Sequence, residues 1–135
     1  MMTTRNHRRT VRTATVFASM GATLVLTAAP ALAANTVDIT VAAPSSVGVE
    51  YNCDAGAGVT SIKVMAGEPT AERPAALGTQ NDVACDGSQH VATVSLAGAA
   101  GEAPLASGAV VQVRAALVDQ NDVVISGQAK VLTLQ

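Results

Sequence analysis

The sequence predicts an all-β fold, an antiparallel two-layer sandwich of about seven strands closed by one disulfide. Three observations predict it. Beyond residue 34, apolar residues recur with period two in several short segments and never with a helical period. Clusters of Gly, Pro, Asp and Asn punctuate these segments at intervals of about 8–15 residues, the spacing of short strands in all-β domains. Finally, the chain has only two cysteines, Cys53 and Cys85. Each stands two residues beyond an apolar side chain (Tyr51 and Val83), on what would be the inward face of a strand.

The first third reads as an export signal. Arg5, Arg8, Arg9 and Arg12 form a basic head, and no charge follows from Thr13 to Ala29. Pro30 ends the apolar stretch, and Ala31-Leu32-Ala33 supplies a small-x-small processing site. We expect a signal peptide over 1–33, cleaved after Ala33, with Ala34 as the neighbouring alternative, and a single domain over 34–135. The segment is short and rich in Ala, Thr and Gly, which disfavours a membrane anchor. Arg8-Arg9 raises a twin-arginine route, but Thr10-Val11-Arg12 fits that pattern poorly, so general secretion is the expectation.

In the domain itself, Val37, Ile39 and Val41 alternate with Thr36, Asp38 and Thr40, and Pro44-Ser45-Ser46 ends this strand. Val47, Val49, Tyr51 and Cys53 share one face of the second, and Asp54 to Gly58 is a glycine-bearing turn. Val59 to Met65 is the third, with Ile62 and Val64 opposed to Ser61 and Lys63. Between Ala66 and Gly78 no period survives, and Pro69 and Pro74 exclude a central strand there, leaving a loop with a short edge strand near Leu77. Asn81 to Cys85 reads as a strand turning at Asp86-Gly87, with Cys85 opposite Ser88 and Val83 opposite His90, and the return runs to Leu96. Ala97 to Gly108 is a connection. In Ala109 to Val118, Val111, Val113, Ala115 and Leu117 point in while Gln112 and Arg114 point out. After the turn Asp119 to Asp122, Val123 to Leu134 is a long strand of ambiguous apolar phase, which a bulge at Gly127 would reconcile.

These strands suit an immunoglobulin/fibronectin-like sandwich, with a barrel as the alternative. There is no Trp, and the cysteine separation of 32 is short for the usual inter-sheet bridge. In an oxidising compartment Cys53 and Cys85 are expected to pair, tying two strands. A metal or redox thiolate site is disfavoured, because the cysteines lack CxxC spacing and His90 is the one histidine of the domain.

The Ala-rich signal ending in Ala31-Leu32-Ala33, the strand VGVEYNC and the Cys85-Asp86-Gly87 turn followed by His90 resemble small secreted immunoglobulin-like actinobacterial proteins of unknown function. The resemblance implies secretion, one disulfide and a sandwich, and brings no activity. The composition is also similar to that of the enediyne-carrying apoproteins, acidic sandwiches rich in Ala, Gly, Val and Thr, but their two short-range disulfides and aromatic cleft lining are missing.

Without residues 1–33 the chain keeps Lys63, Arg73, Arg114 and Lys130 against ten acids, a net charge of −6. That disfavours nucleic acid and anionic membranes as partners. Tyr51 is the one aromatic of the domain, too few for a sugar-stacking platform. No nucleophile motif accompanies His90, so we expect no enzyme and no cofactor. Asp54, Asp86, Asp119 and Asp122 fall in turns, where Asp bonds nearby amides, and their spacing is not that of an EF-hand; weak calcium binding stays open and no metal is expected. The expectation is a monomeric, secreted, non-catalytic module whose partner is an extracellular protein or small molecule. Two alternatives are a protease inhibitor presenting loop 66–78, with Arg73 ahead of Pro74 as anchor, and a carrier of an apolar small molecule between the sheets.

Overall fold

The computed structural model describes residues 35–135. The predicted signal peptide and its cleavage positions, Ala33 and Ala34, lie outside the described residues. Eight strands follow in order: β1 Thr36–Ala43, β2 Ser46–Asn52, β3 Val59–Gly67, β4 Ala76–Gln80, β5 Gln89–Ser95, β6 Ala97–Gly98, β7 Val110–Asp119 and β8 Val124–Thr133. They form two antiparallel sheets, one ordered β1-β2-β5 and the other β6-β4-β3-β7-β8. No helix occurs among the described residues, so none there is long and apolar enough to cross a membrane.

Between the sheets lies one aliphatic core. Ile39, Val47, Val49 and Val94 from the three-stranded sheet meet Ile62, Val64, Val111, Val113 and Leu117 from the five-stranded one, all buried. Burying side chains of this size stabilises by roughly 1.5–3 kcal/mol each. The inward sets anticipated for β2 and β7 are those observed. The chain end joins the layers: Leu134 N–H donates to Ala109 O (2.8 Å) and Gln135 N–H to Ala42 O (3.0 Å).

Four expectations are corrected. In β1 the register slips between Ile39 and Val41, leaving Thr40 as an extra residue. A bulge inverts the alternation beyond it, so Ala42 is buried while Val41 turns out. Residues 81–85 are not a strand. Asp86-Gly87 is a turn, with Gly87 at φ 81°, but β5 pairs with β2 instead, placing His90 opposite Tyr51. The short strand expected near Leu77 is present as β4, but it is not at the sheet edge: it lies between β3 and the two-residue β6. The slip in the last hairpin falls between Leu117 and Val118, where Ile125 is skipped, and not at Gly127.

The disulfide joins Cys53 to Cys85 (Cα–Cα 4.7 Å). Cys53 stands just after β2, but Cys85 lies on the connection between β4 and β5. The bridge therefore ties a strand end to a loop and does not fasten strand to strand.

Candidate functional site

Two groups of side chains gather chemistry. The first surrounds the disulfide. Tyr51 is buried on β2, and its hydroxyl accepts from Ala84 N–H at 3.0 Å. Its ring lies 5.6 Å from that of His90, its cross-strand partner. His90 Nε2 donates to Asp86 Oδ1 (2.8 Å), and Ser88 gives the same oxygen its backbone N–H (3.0 Å) and its hydroxyl (2.7 Å). The Ser88 hydroxyl bond, then the His90 bond, hold the Asp86 carboxyl well below the ordinary range. Ser, His and Asp are thus adjacent, but not as a proton relay. A relay needs one histidine nitrogen on the acid and the other facing the hydroxyl. Here a single nitrogen, Nε2, faces both, and Ser88 Oγ gives its proton to Asp86. The group braces the 81–88 loop against β5.

Two of the remaining turn acids, Asp119 and Asp122, are also engaged. Asp119 Oδ1 accepts from Asn121 and Val123 N–H, and Asp122 pairs with Lys63 at 3.0 Å. At Asp54 it is the backbone that is held, its N–H donating to Asn35 Oδ1, while its carboxylate faces solvent. Among the described residues no three His, Cys, Asp or Glu side chains group closely enough to hold a metal.

The second group is the outer face of the five-stranded sheet. Strand register lines up Leu77, Met65, Arg114 and Ala129 across β4, β3, β7 and β8. The next row holds Thr79, Lys63, Ala116 and Gly127. Met65, Leu77, Val110, Val124 and Val131 are 40–58% exposed. A trough of about 360 Å³ runs over this face, lined by Met65, Leu77, Ala116, Val118 and Val124, with Lys63, Arg114 and Asp122 among its polar members. The outer face of the three-stranded sheet is more mixed: Asp38 pairs with Glu50 and Asn52 with Gln89, beside the exposed Val41 and Val91.

Strand β8 accounts for the apolar face. Its inward row is Ser126, Gln128, Lys130 and Leu132, and its outward row is Gly127, Ala129, Val131 and Thr133. The inward polar side chains have a structural task. Gln128 Oε1 accepts from Ile39 N–H (2.7 Å), Lys130 Nζ donates to Ile39 O (2.6 Å), and both donate to Asp38 Oδ1 (2.8 and 3.3 Å). They satisfy the backbone of edge strand β1 at its bulge, as a paired strand would. The Gln128 bond, then that of Lys130, draws the Asp38 carboxyl below its ordinary range. The apolar phase of β8 is ambiguous in sequence because its two faces have exchanged their usual roles.

Loop 67–74 overhangs one end of this face. Ala75 N–H donates to Ala66 O (2.8 Å) and closes the loop. A recess of about 150 Å³ beneath it is lined by Glu68, Glu72, Arg73, Pro74, Gln112 and Arg114 among others. The Arg73 guanidinium is bonded to Glu102 (2.9 Å), an exposed pair of small energetic value. Ion pairs engage Lys63, Arg73 and Lys130. Arg114 alone among the cations of the described residues has none, and it lines both recesses. The apolar recess thus lies outside the sandwich, while the space between the sheets is filled by side chains at most a few per cent exposed.

Of the sequence-derived candidates, Cys53, Cys85, Tyr51, Asp86 and His90 come together. Loop 66–78 lies apart from them, beside a face that was not foreseen. Compared with known proteins, the chain matches no protein-family model and no curated protein.

Proposed function

We propose that this protein is a secreted, non-catalytic β-sandwich module that binds its partner on the outer face of the five-stranded sheet, with loop 67–74 as one rim. One observation carries the reading: β8 turns Gly127, Ala129 and Val131 outward, with Thr133 the one polar side chain of that row, while Gln128 and Lys130 reach across the sandwich edge to β1. A strand with one solvated face places its polar row on that face. The inversion is accounted for when a second molecule covers the outward row. Exposed apolar patches rimmed by polar residues mark interaction sites, and Met and Arg are enriched at their centres. The disulfide and the export-type N-terminal sequence support an extracellular setting.

The test uses two surface variants of the secreted protein, Ala129→Lys on this face and Thr93→Lys on the outer face of the three-stranded sheet, each exposed. Immobilised wild type is incubated with culture filtrate of the producing organism, and bound components are identified by mass spectrometry. The expected result is a component that Thr93→Lys retains and Ala129→Lys loses. Retention by both variants, or loss through Thr93→Lys alone, contradicts the assignment.

A further inference from the structure

We infer that the outer face takes an apolar monocarboxylic acid, its carboxylate on Arg114 and its hydrocarbon body in the trough over β4, β3 and β7, closed at one end by Val124; this rests on reading that face as the binding surface. The trough, at about 360 Å³, is at the small end of the roughly 300–1,000 Å³ of small-molecule sites. Its lining of Met65, Leu77, Ala116, Val118 and Val124 selects hydrocarbon. Arg114 lies in the row between Met65 and Ala129, a cation flanked by apolar neighbours with no acid of the chain paired to it. A guanidinium among apolar neighbours is matched by a carboxylate, which it can grip with two parallel hydrogen bonds.

The surroundings limit the ligand to one negative charge. The charge of Lys63 is met by Asp122. Glu68 and Glu72 stand on the loop side of Arg114, so a second anionic group would approach like charge. The net charge opposes a second copy as the occupant, since each copy of residues 34–135 carries −6.

Calorimetric titration of the secreted protein with dodecanoate, below its micellar concentration, tests this. Dodecan-1-ol serves as the uncharged probe with the same tail. The expected result is one saturable site for dodecanoate, weakened about tenfold or more by Arg114→Gln and less by Arg114→Lys, with dodecan-1-ol weaker than dodecanoate. Arg114 is exposed, so its variants should keep the wild-type circular dichroism. Equal binding of the two probes, or an unchanged affinity in Arg114→Gln, overturns the placement of the carboxylate. Absence of a saturable site overturns the ligand class. None of these results bears on the contrast between Ala129→Lys and Thr93→Lys in filtrate, which decides the binding face separately.

Discussion

Replacing both cysteines, as Cys53→Ala/Cys85→Ala, removes a cross-link that closes a span of 32 residues containing β3 and β4. The chain-entropy relation gives about 3.7 kcal/mol for a loop of that length. In the folded state little else should change. The 81–88 loop keeps the Ala84 N–H bond to Tyr51, the Gly87 N–H bond to Cys53 O and the Asp86–His90 contact. The loss should therefore arise mainly in the unfolded chain, which becomes freer and exposes more surface. Guanidinium unfolding of the two proteins should show a stability loss of about 3–5 kcal/mol together with a steeper denaturant slope in the variant. In a thermal scan the same loss corresponds to a fall of about 15–30 °C in Tm for a domain of this size. A loss below about 1 kcal/mol, or an unchanged slope, would refute the reasoning.

Other perturbations are as specific. Tyr51→Phe leaves Ala84 N–H without its acceptor and should cost about 1–3 kcal/mol in the same unfolding assay, because the group it strands is partly buried. Gly78→Ala should cost about 2–3 kcal/mol: an added Cβ would collide with the Ser95 carbonyl oxygen and meet Val94 Cγ1 at 3.0 Å, and backbone cannot yield as a flexible side chain would. Asp86 has a depressed folded pKa, so its contribution is present above the unfolded value of about 4 and is lost as pH falls from there toward the folded value. Stability measured from pH 6 down to pH 2 should decline less steeply in Asp86→Asn, with the difference confined to the region below about pH 4.

How far the chain could be read in advance follows from which contacts are local. Strands β2 and β7 were legible because Val47, Val49, Tyr51, Val111, Val113, Ala115 and Leu117 alternate strictly and all end in the core. The pairing of Cys53 with Cys85 followed from composition, since no other cysteine exists. Strand β4 was only partly visible because it is five residues long, follows Pro74 and contains Gly78, which is needed for the close pass by Ser95. The Asp86-Gly87 signal was real as a turn, but the chain before it is held by the disulfide and Tyr51 and cannot pair with β5. That alternative was invisible locally, because the partner of β5 is β2, some forty residues away. The outer face was hidden for the same reason. Leu77, Met65, Arg114 and Ala129 meet only once β3 pairs with β7, strands distant in sequence, in addition to the neighbouring pairings β3–β4 and β7–β8. One trace did exist: the inverted polarity of β8, which reads as ambiguity until Ile39 is seen to need Gln128 and Lys130.

The binding face carries its own reporters, since Met65, Leu77, Ala116, Ala129 and Val131 all end in methyl groups. Methyl-resolved NMR spectra of the secreted protein, recorded alone and with the component retained from filtrate, would locate contact directly. The account predicts shifts at these five residues and unchanged signals from Val41 and Val91 on the other sheet. Shifts concentrated at Val41 and Val91, with Met65 and Ala129 unmoved, would contradict it.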